Sequence, residues 1–173
     1  PLNSIINLLS RVCDIFWECY SYREEFKQQV IDLILHIQNE EAKINLPLQQ
    51  QLDLLDIRDS YISRGGEFLV AIENGVVIGT IAFMNYGDHN AVLKKFFVQA
   101  EYRSQGIGLA LHKKLLCVLV EQGYKKILLD TPAVAVKSHH FYEMAGFKMI
   151  SKQELPFHYE YPDRDSLLYL LVL

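Results

Sequence analysis

The stretch "YRSQGIGLALHKKLL" (residues 102–116) starts on an aromatic and a basic residue, passes two glycines and runs directly into a leucine-rich helical repeat. Glycine weakens a helix, so Gly106 and Gly108 at its mouth need a reason other than helix formation. The reason offered by chemistry is access. A residue without Cβ lets an anion approach the main chain, and the first-turn N–H groups have no acceptor within the helix. Ile107, Leu111, Leu115 and Leu119 fall on one face of the repeat, and Gly123 suits its end. Just upstream, "AVLKKFFVQ" (91–99) predicts a strand. The unit is therefore strand, glycine loop, helix. A Walker loop would need a closing Lys-Ser or Lys-Thr, and a dinucleotide fingerprint a third glycine where Leu111 stands. Neither fits.

Outward from this unit the chain alternates between helical and strand periodicity. Upstream, "DIFWECY" (14–20) is a candidate first strand, and "SYRE" (21–24) has the form of a capping box before a helix over 22–40 carrying Phe26, Val30, Leu33, Ile34 and Ile37. Pro47 suits the first turn of a second, shorter helix with Leu48, Leu52 and Leu55 on its inner side. "EFLVAIENGVVIGTIAFMNYG" (67–87) predicts two strands around a tight Asn74-Gly75 turn. Downstream, "KKILLDT" (125–131) is a strand and "VAVKSHHFYEMAG" (134–146) a helix closed by Gly146. "FKMIS" and "SLLYLLVL" supply the last two strands. The order β-α-α-β-β-β-α-β-α-β-β predicts an α/β (α+β) domain, a mixed sheet with helices packed on it.

The 173 residues are half hydrophobic, 22% charged and of net charge −4. Such a balance fits a globular domain and lacks the basic face of a general nucleic-acid binder. The apolar runs "LLCVLV" and "LLYLLVL" are far short of the roughly 20 residues that span a bilayer. No secretory pattern is seen in the quoted start "PLNSIINLLSRVCD", and Cys13, Cys19 and Cys117 lack Cys-x-x-Cys spacing. The expectation is a cytoplasmic protein with free thiols, no membrane segment and no metal centre.

The hexapeptide "RSQGIG" (103–108) after a strand resembles the acyl-CoA signature Arg/Gln-x-x-Gly-x-Gly/Ala of the GNAT superfamily of N-acetyltransferases. Some 40 residues on, "HHFYEMAGF" (139–147) is similar to that superfamily's aromatic-Tyr-Glu-x-x-Gly-Phe helix end. The resemblance implies a GNAT fold of about seven strands and about four helices over residues 14–173, with 1–13 as an N-terminal extension. It implies acetyl-CoA as cosubstrate and a small-molecule or peptide amine as acceptor, which attacks directly in a ternary complex. The backbone N–H groups of Gln105, Gly106, Ile107, Gly108, Leu109 and Ala110 would hold the pyrophosphate, with Arg103 and Ser104 shaping the loop. The backbone around Phe97 and Val98 would pair with the pantetheine arm. Tyr142 matches the tyrosine that donates a proton to the departing thiolate. GNAT proteins often dimerise through C-terminal strands, and "LLYLLVL", apolar but for the Tyr169 hydroxyl, is expected to be buried on both faces or covered by a second copy.

The sequence also departs from common members. The strand before the loop has no carboxylate to serve as general base, which leaves the base open among ordered water, backbone carbonyls and a residue such as Asp130. A non-catalytic acyl-CoA-binding or sensing module is the competing reading. Adjacent His139 and His140 cannot converge on one metal ion and are expected to be solvated or to flank CoA. Cys117 reads as a packed thiol, and His36, Glu40 and Glu41 are acceptor-side candidates. Lys113 and Lys114 either screen phosphates or cover an exposed helix face. "ELPFHYEYPDRD" (154–165) either lines a pocket for a cationic amine through Glu160, Asp163 and Asp165 or is a rigid loop.

Overall fold

In a computed structural model, residues 17–161 and 165–173 are described. The predicted first-strand residues 14–16, Cys13 and Asp163 lie outside them. The elements in chain order begin with β1 (Trp17–Ser21) and α1 (Lys27–Leu35), then two short helices, α2 (Leu52–Leu55) and α3 (Ile57–Ser60). Next come β2 (Glu67–Glu73), β3 (Val76–Asn85), β4 (Asn90–Val98) and α4 (Ile107–Glu121). The chain closes with β5 (Lys126–Pro132), α5 (Val136–Met144), β6 (Lys148–Ile150) and β7 (Ser166–Val172).

The strands form one seven-stranded sheet in the order β1-β2-β3-β4-β5-β7-β6. Every neighbour pair is antiparallel except β4 and β5. The β2–β3 turn has Asn74 at φ 50° and Gly75 at φ 78°, the double positive φ that a two-residue hairpin needs. Helices cover both faces. On one, Ile107, Leu111, Leu115 and Leu119 of α4 are buried against Leu69, Ile81, Phe83 and Leu93. Burying each such side chain is worth about 1.5–3 kcal/mol, which outweighs the roughly 1 kcal/mol a glycine costs in a helix. Docking, not propensity, holds α4 in place. On the other face, Val30 and Ile34 of α1 pack with Leu54, Ile57 and Tyr61 over Phe68, Val70 and Ala82.

Four local expectations are corrected. Ser21 ends β1 and its hydroxyl donates to Glu67 at 2.7 Å, so it caps no helix. The predicted helix over 22–40 is instead a 3-10 turn (Glu24–Phe26), then α1, then a π-helical turn (His36–Glu41). In the second helical region the inner residues are Leu54 and Ile57. Leu52 and Leu55 are exposed, because Gln51 (ψ 64°) and Asp56 (ψ 81°) break the chain into separate single turns. His139 is buried rather than solvated, with its Nε2 2.9 Å from the Pro132 carbonyl, whereas His140 is exposed. The final strand is interior, between β5 and β6; Leu168 and Tyr169 are buried while Val172 and Leu173 are exposed at its end.

Candidate active site

The parallel β4–β5 ladder has only three pairs, Asn90↔Lys126, Ala91↔Ile127 and Val92↔Leu128. Beyond Val92 the strands part: β4 stays with β3, and Leu129–Pro132 of β5 stay with β7. A slot opens between them with strand edges along both sides. Inside β4 a bulge shifts the register opposite Thr80 and Ala82. Lys95 absorbs it at φ 51°, and Thr80 Oγ1 donates to its carbonyl at 2.7 Å. A bulge next to a functional opening typically re-aims side chains.

Gln99 N–H donates to the Ile78 carbonyl, so by antiparallel alternation Phe97, opposite Thr80, also has its peptide groups in the β3 ladder. Its ring packs on the α1 side. Val98 has its peptide groups toward the slot, where its carbonyl accepts from Arg103 Nε at 2.9 Å. Of the two residues anticipated for the pantetheine arm, Val98 is thus the one with its backbone directed there.

The glycine loop lies at the slot's wide end. Ser104 (φ 62°) and Gly106 (φ 86°) take left-handed conformations that turn the chain into α4. Ala110 N–H closes the first intrahelical bond on the Gly106 carbonyl at 2.9 Å, and is therefore not open to a ligand. The N–H groups of Gly106, Ile107, Gly108 and Leu109 precede that bond and have no acceptor in the helix. A Cβ at Gly108 would approach nothing closer than Phe96 Cζ at 3.5 Å. Protein packing therefore does not demand glycine at 108. Gln105 anchors the loop by donating to the Glu101 carbonyl at 2.6 Å, and Arg103 Nη2 lies 2.6 Å from Glu41 Oε2 at the end of the π-turn.

Tyr142 on α5 is buried, with ring centroids of Phe147, Phe141, Tyr169 and Phe96 at 5.7–6.3 Å. Burial first, and then the Asp130 charge, push its phenol well above the usual range. It is therefore protonated at neutral pH and able to donate.

Two features went unseen in the sequence. His112, next to Leu111 on the inner side of α4, is buried with a partnerless Nε2 between Phe96, Phe141 and Phe147. Burial pulls its pKa down to about 4, so the imidazole is neutral. A histidine at a core position of the leucine repeat was the available signal. The second feature is Tyr159, which donates its hydroxyl to Asp130 and accepts from Lys94 Nζ at 2.6 Å. Residues 154–161 reach the slot through this tyrosine. Glu160 is instead 88% exposed beside His158, and Asp165 is exposed. His36 and Glu41 do lie together, along a separate cleft of about 380 Å³ with Asp32 and Glu101 that holds none of the groups at the slot. Lys113 is half-buried and Lys114 exposed on α4, and Cys117 is half-buried. Among the described residues, no group of three or more metal-ligating side chains converges and no helix is long and apolar enough to cross a membrane.

The fold has counterparts among known proteins. The model of the Acetyltransferase (GNAT) family matches residues 9–147. An acetyltransferase structure from Streptococcus agalactiae 2603 superposes with TM-score 0.88 at 37% identity, covering 92% of this chain and 100% of that one. The N-acetylaspartate synthetase of Xenopus tropicalis is 36% identical over 104 residues, which are 59% of this chain and 38% of that protein. The matched segment is thus well under half of that relative's length. A PaiA N-acetyltransferase from Thermoplasma acidophilum, solved in complex with coenzyme A, shares the fold at TM-score 0.71 and 16% identity over 92% of this chain and 100% of that one.

Proposed function

The chain belongs to the acetyltransferase (GNAT) family, and from that premise we propose that it transfers an acetyl group from acetyl-CoA to a primary amine. The observation that carries the reading is the slot between β4 and β5 with a protonated phenol beside it and four open N–H groups at its wide end. Gly106 to Leu109 would hold the diphosphate, and the Val98 peptide edge would meet the extended arm. Arg103 and Ser104 shape the loop.

In the proposed reaction the amine nitrogen attacks the thioester carbonyl carbon while the carbon–sulfur bond breaks. The thiolate leaves with the bond's electron pair and takes a proton from the Tyr142 hydroxyl; the amine's own proton passes to solvent or a neighbouring carboxylate, and solvent returns a proton to the phenolate. No covalent acyl-enzyme is required. The acetylated aspartate in the name of the frog relative directs the acceptor search toward amino acids. We place the reaction in the cytoplasm, on the support of the free Cys19 and Cys117, and the exposed Met149 and Val172 near the β6 edge support a homodimer through that side. The test is acetyl-CoA-dependent thiol release over a broad amine library, with products identified by mass. Coenzyme A binding with no amine acetylated would make the domain a binding module instead.

A further inference from the structure

Consecutive strand residues point to opposite faces. Lys94, opposite Ala82, belongs to the face away from α4. Lys95 should point the other way. The bulge prevents it: at φ 51°, a conformation L side chains rarely adopt, Lys95 turns onto the same face as Lys94. Its Nζ lies 2.8 Å from Gln51 Oε1 and 3.2 Å from Asp53 Oδ2. Lys94 Nζ lies 2.6 Å from the Tyr159 hydroxyl and 3.5 Å from Asp130 Oδ1. Asp53 also accepts from Tyr61 at 2.5 Å, and Asp130 from Tyr159. Carrying the register two places past Val92↔Leu128 sets Lys94 against Asp130, directly across the start of the slot.

The result is two ammonium groups and two carboxylates on the face away from α4, with no net charge. The side chains are 10–26% exposed, which leaves them reachable but poorly hydrated. An ammonium has three donors. Among the described residues each lysine uses two, and the Lys94–Asp130 contact is long. Each lysine thus keeps a donor for a ligand, and Asp130 Oδ2 and Asp53 Oδ1 make no hydrogen bond among those residues. A purely cationic amine would meet two lysines that repel it, and an amine with no carboxylate would leave the spare lysine donors without an acceptor in a poorly hydrated site. A zwitterion offers a carboxylate to the spare lysine donors and an ammonium to the spare carboxylate oxygens.

We propose that the acceptor is a free amino acid, its carboxylate taken by the spare donors of Lys94 and Lys95 and its amine entering beside Asp130. This rests on the acetyl-transfer reading above and specifies its substrate class. Burial holds the Lys95 ammonium below the usual lysine range, and the charge of a bound carboxylate would offset that desolvation.

The experiment uses matched sets: each common amino acid, its carboxamide and its decarboxylated amine. Thiol release with acetyl-CoA is measured for the wild type and Lys94→Met, and binding is measured by calorimetry in the presence of coenzyme A. For the best set, kcat/KM for the amino acid should exceed that of the other two by about tenfold or more, and Lys94→Met should bring the ratio close to one. Lys94→Gln serves should the methionine variant not fold. Amides or plain amines used as well as amino acids by the wild type, or a ratio unchanged in both Lys94 variants, overturn the carboxylate site and leave acetyl transfer standing. Selective binding of amino acids, lost in the Lys94 variant but without turnover, supports the carboxylate site and sinks the transfer reading.

Discussion

Tyr142→Phe removes one oxygen and nothing else. The ring is wedged among Phe96, Phe141, Phe147 and Tyr169, and those contacts survive the change. Coenzyme A affinity and KM for acetyl-CoA should hold, because in the proposed step the hydroxyl acts only as the carbon–sulfur bond breaks. The size of the kcat loss follows from the acidity of the two partners. An alkyl thiol has a pKa near 8.5, while burial and Asp130 lift this phenol above its ordinary 10. Proton transfer is therefore uphill, which places the benefit at the low end of the usual 10²–10⁴ for general acids. The expected loss is on the order of 10² in kcat, or about 2.7 kcal/mol. The raised phenol also means that Tyr142 puts no alkaline limb on the wild-type rate near pH 9. Single-turnover thiol release, which isolates chemistry from product departure, is the assay. An unchanged single-turnover rate in the Phe variant would make Tyr142 a packing residue and refute the reasoning.

Gly108→Glu places an anion where the diphosphate is expected and should abolish coenzyme A binding with the fold intact; undiminished affinity in calorimetry removes the loop's assigned role. Gly106→Ala meets no neighbouring atom within 4 Å but keeps φ 86°, so it should cost about 1 kcal/mol, read as a fall of about 2–4 °C in Tm. His112 takes up its proton far more readily unfolded (6.5) than folded (about 4), so stability is full above pH 6.5 and lost as pH falls through 4. That depression corresponds to on the order of 3 kcal/mol. His112→Leu should flatten the acid side of the profile, and an unaltered profile in chemical denaturation counts against the buried neutral imidazole. A monomeric mass by light scattering over a wide concentration range would exclude the homodimer.

The parts legible in the sequence were those decided by neighbours a few residues apart. Asn74-Gly75 fixes its own turn, and the Ile107–Leu119 repeat fixes the buried face of α4. What escaped depends on residues distant in the chain. The inner face of the α2–α3 region was misassigned because a leucine spacing says nothing of the breaks at Gln51 and Asp56. The bulge at Lys95 exists only through the mismatch of β4 against β3, so two adjacent lysines gave no hint of sharing a face. Phe97 and Val98 could not be told apart before the pairing of Gln99 with Ile78 set the alternation. Tyr159 reaches Asp130 across 29 residues of chain, a meeting that no local pattern announces.

The short β4–β5 ladder has a mechanical consequence. Three pairings are all that stitch β1–β4 to β5, β7 and β6 within the sheet, so Val92 and Leu128 sit where a hinge would. On the proposed reading, an arm laid into the slot would act as a strut between the two halves, extending the β4–β5 pairing past Val92. Occupancy then stiffens the protein as well as equipping it. At a hundredfold excess over Kd the stabilisation is about 2.7 kcal/mol. Its signature is slowed amide exchange along the facing edges of β4 and β5, with the β2–β3 hairpin indifferent to whether the slot is filled.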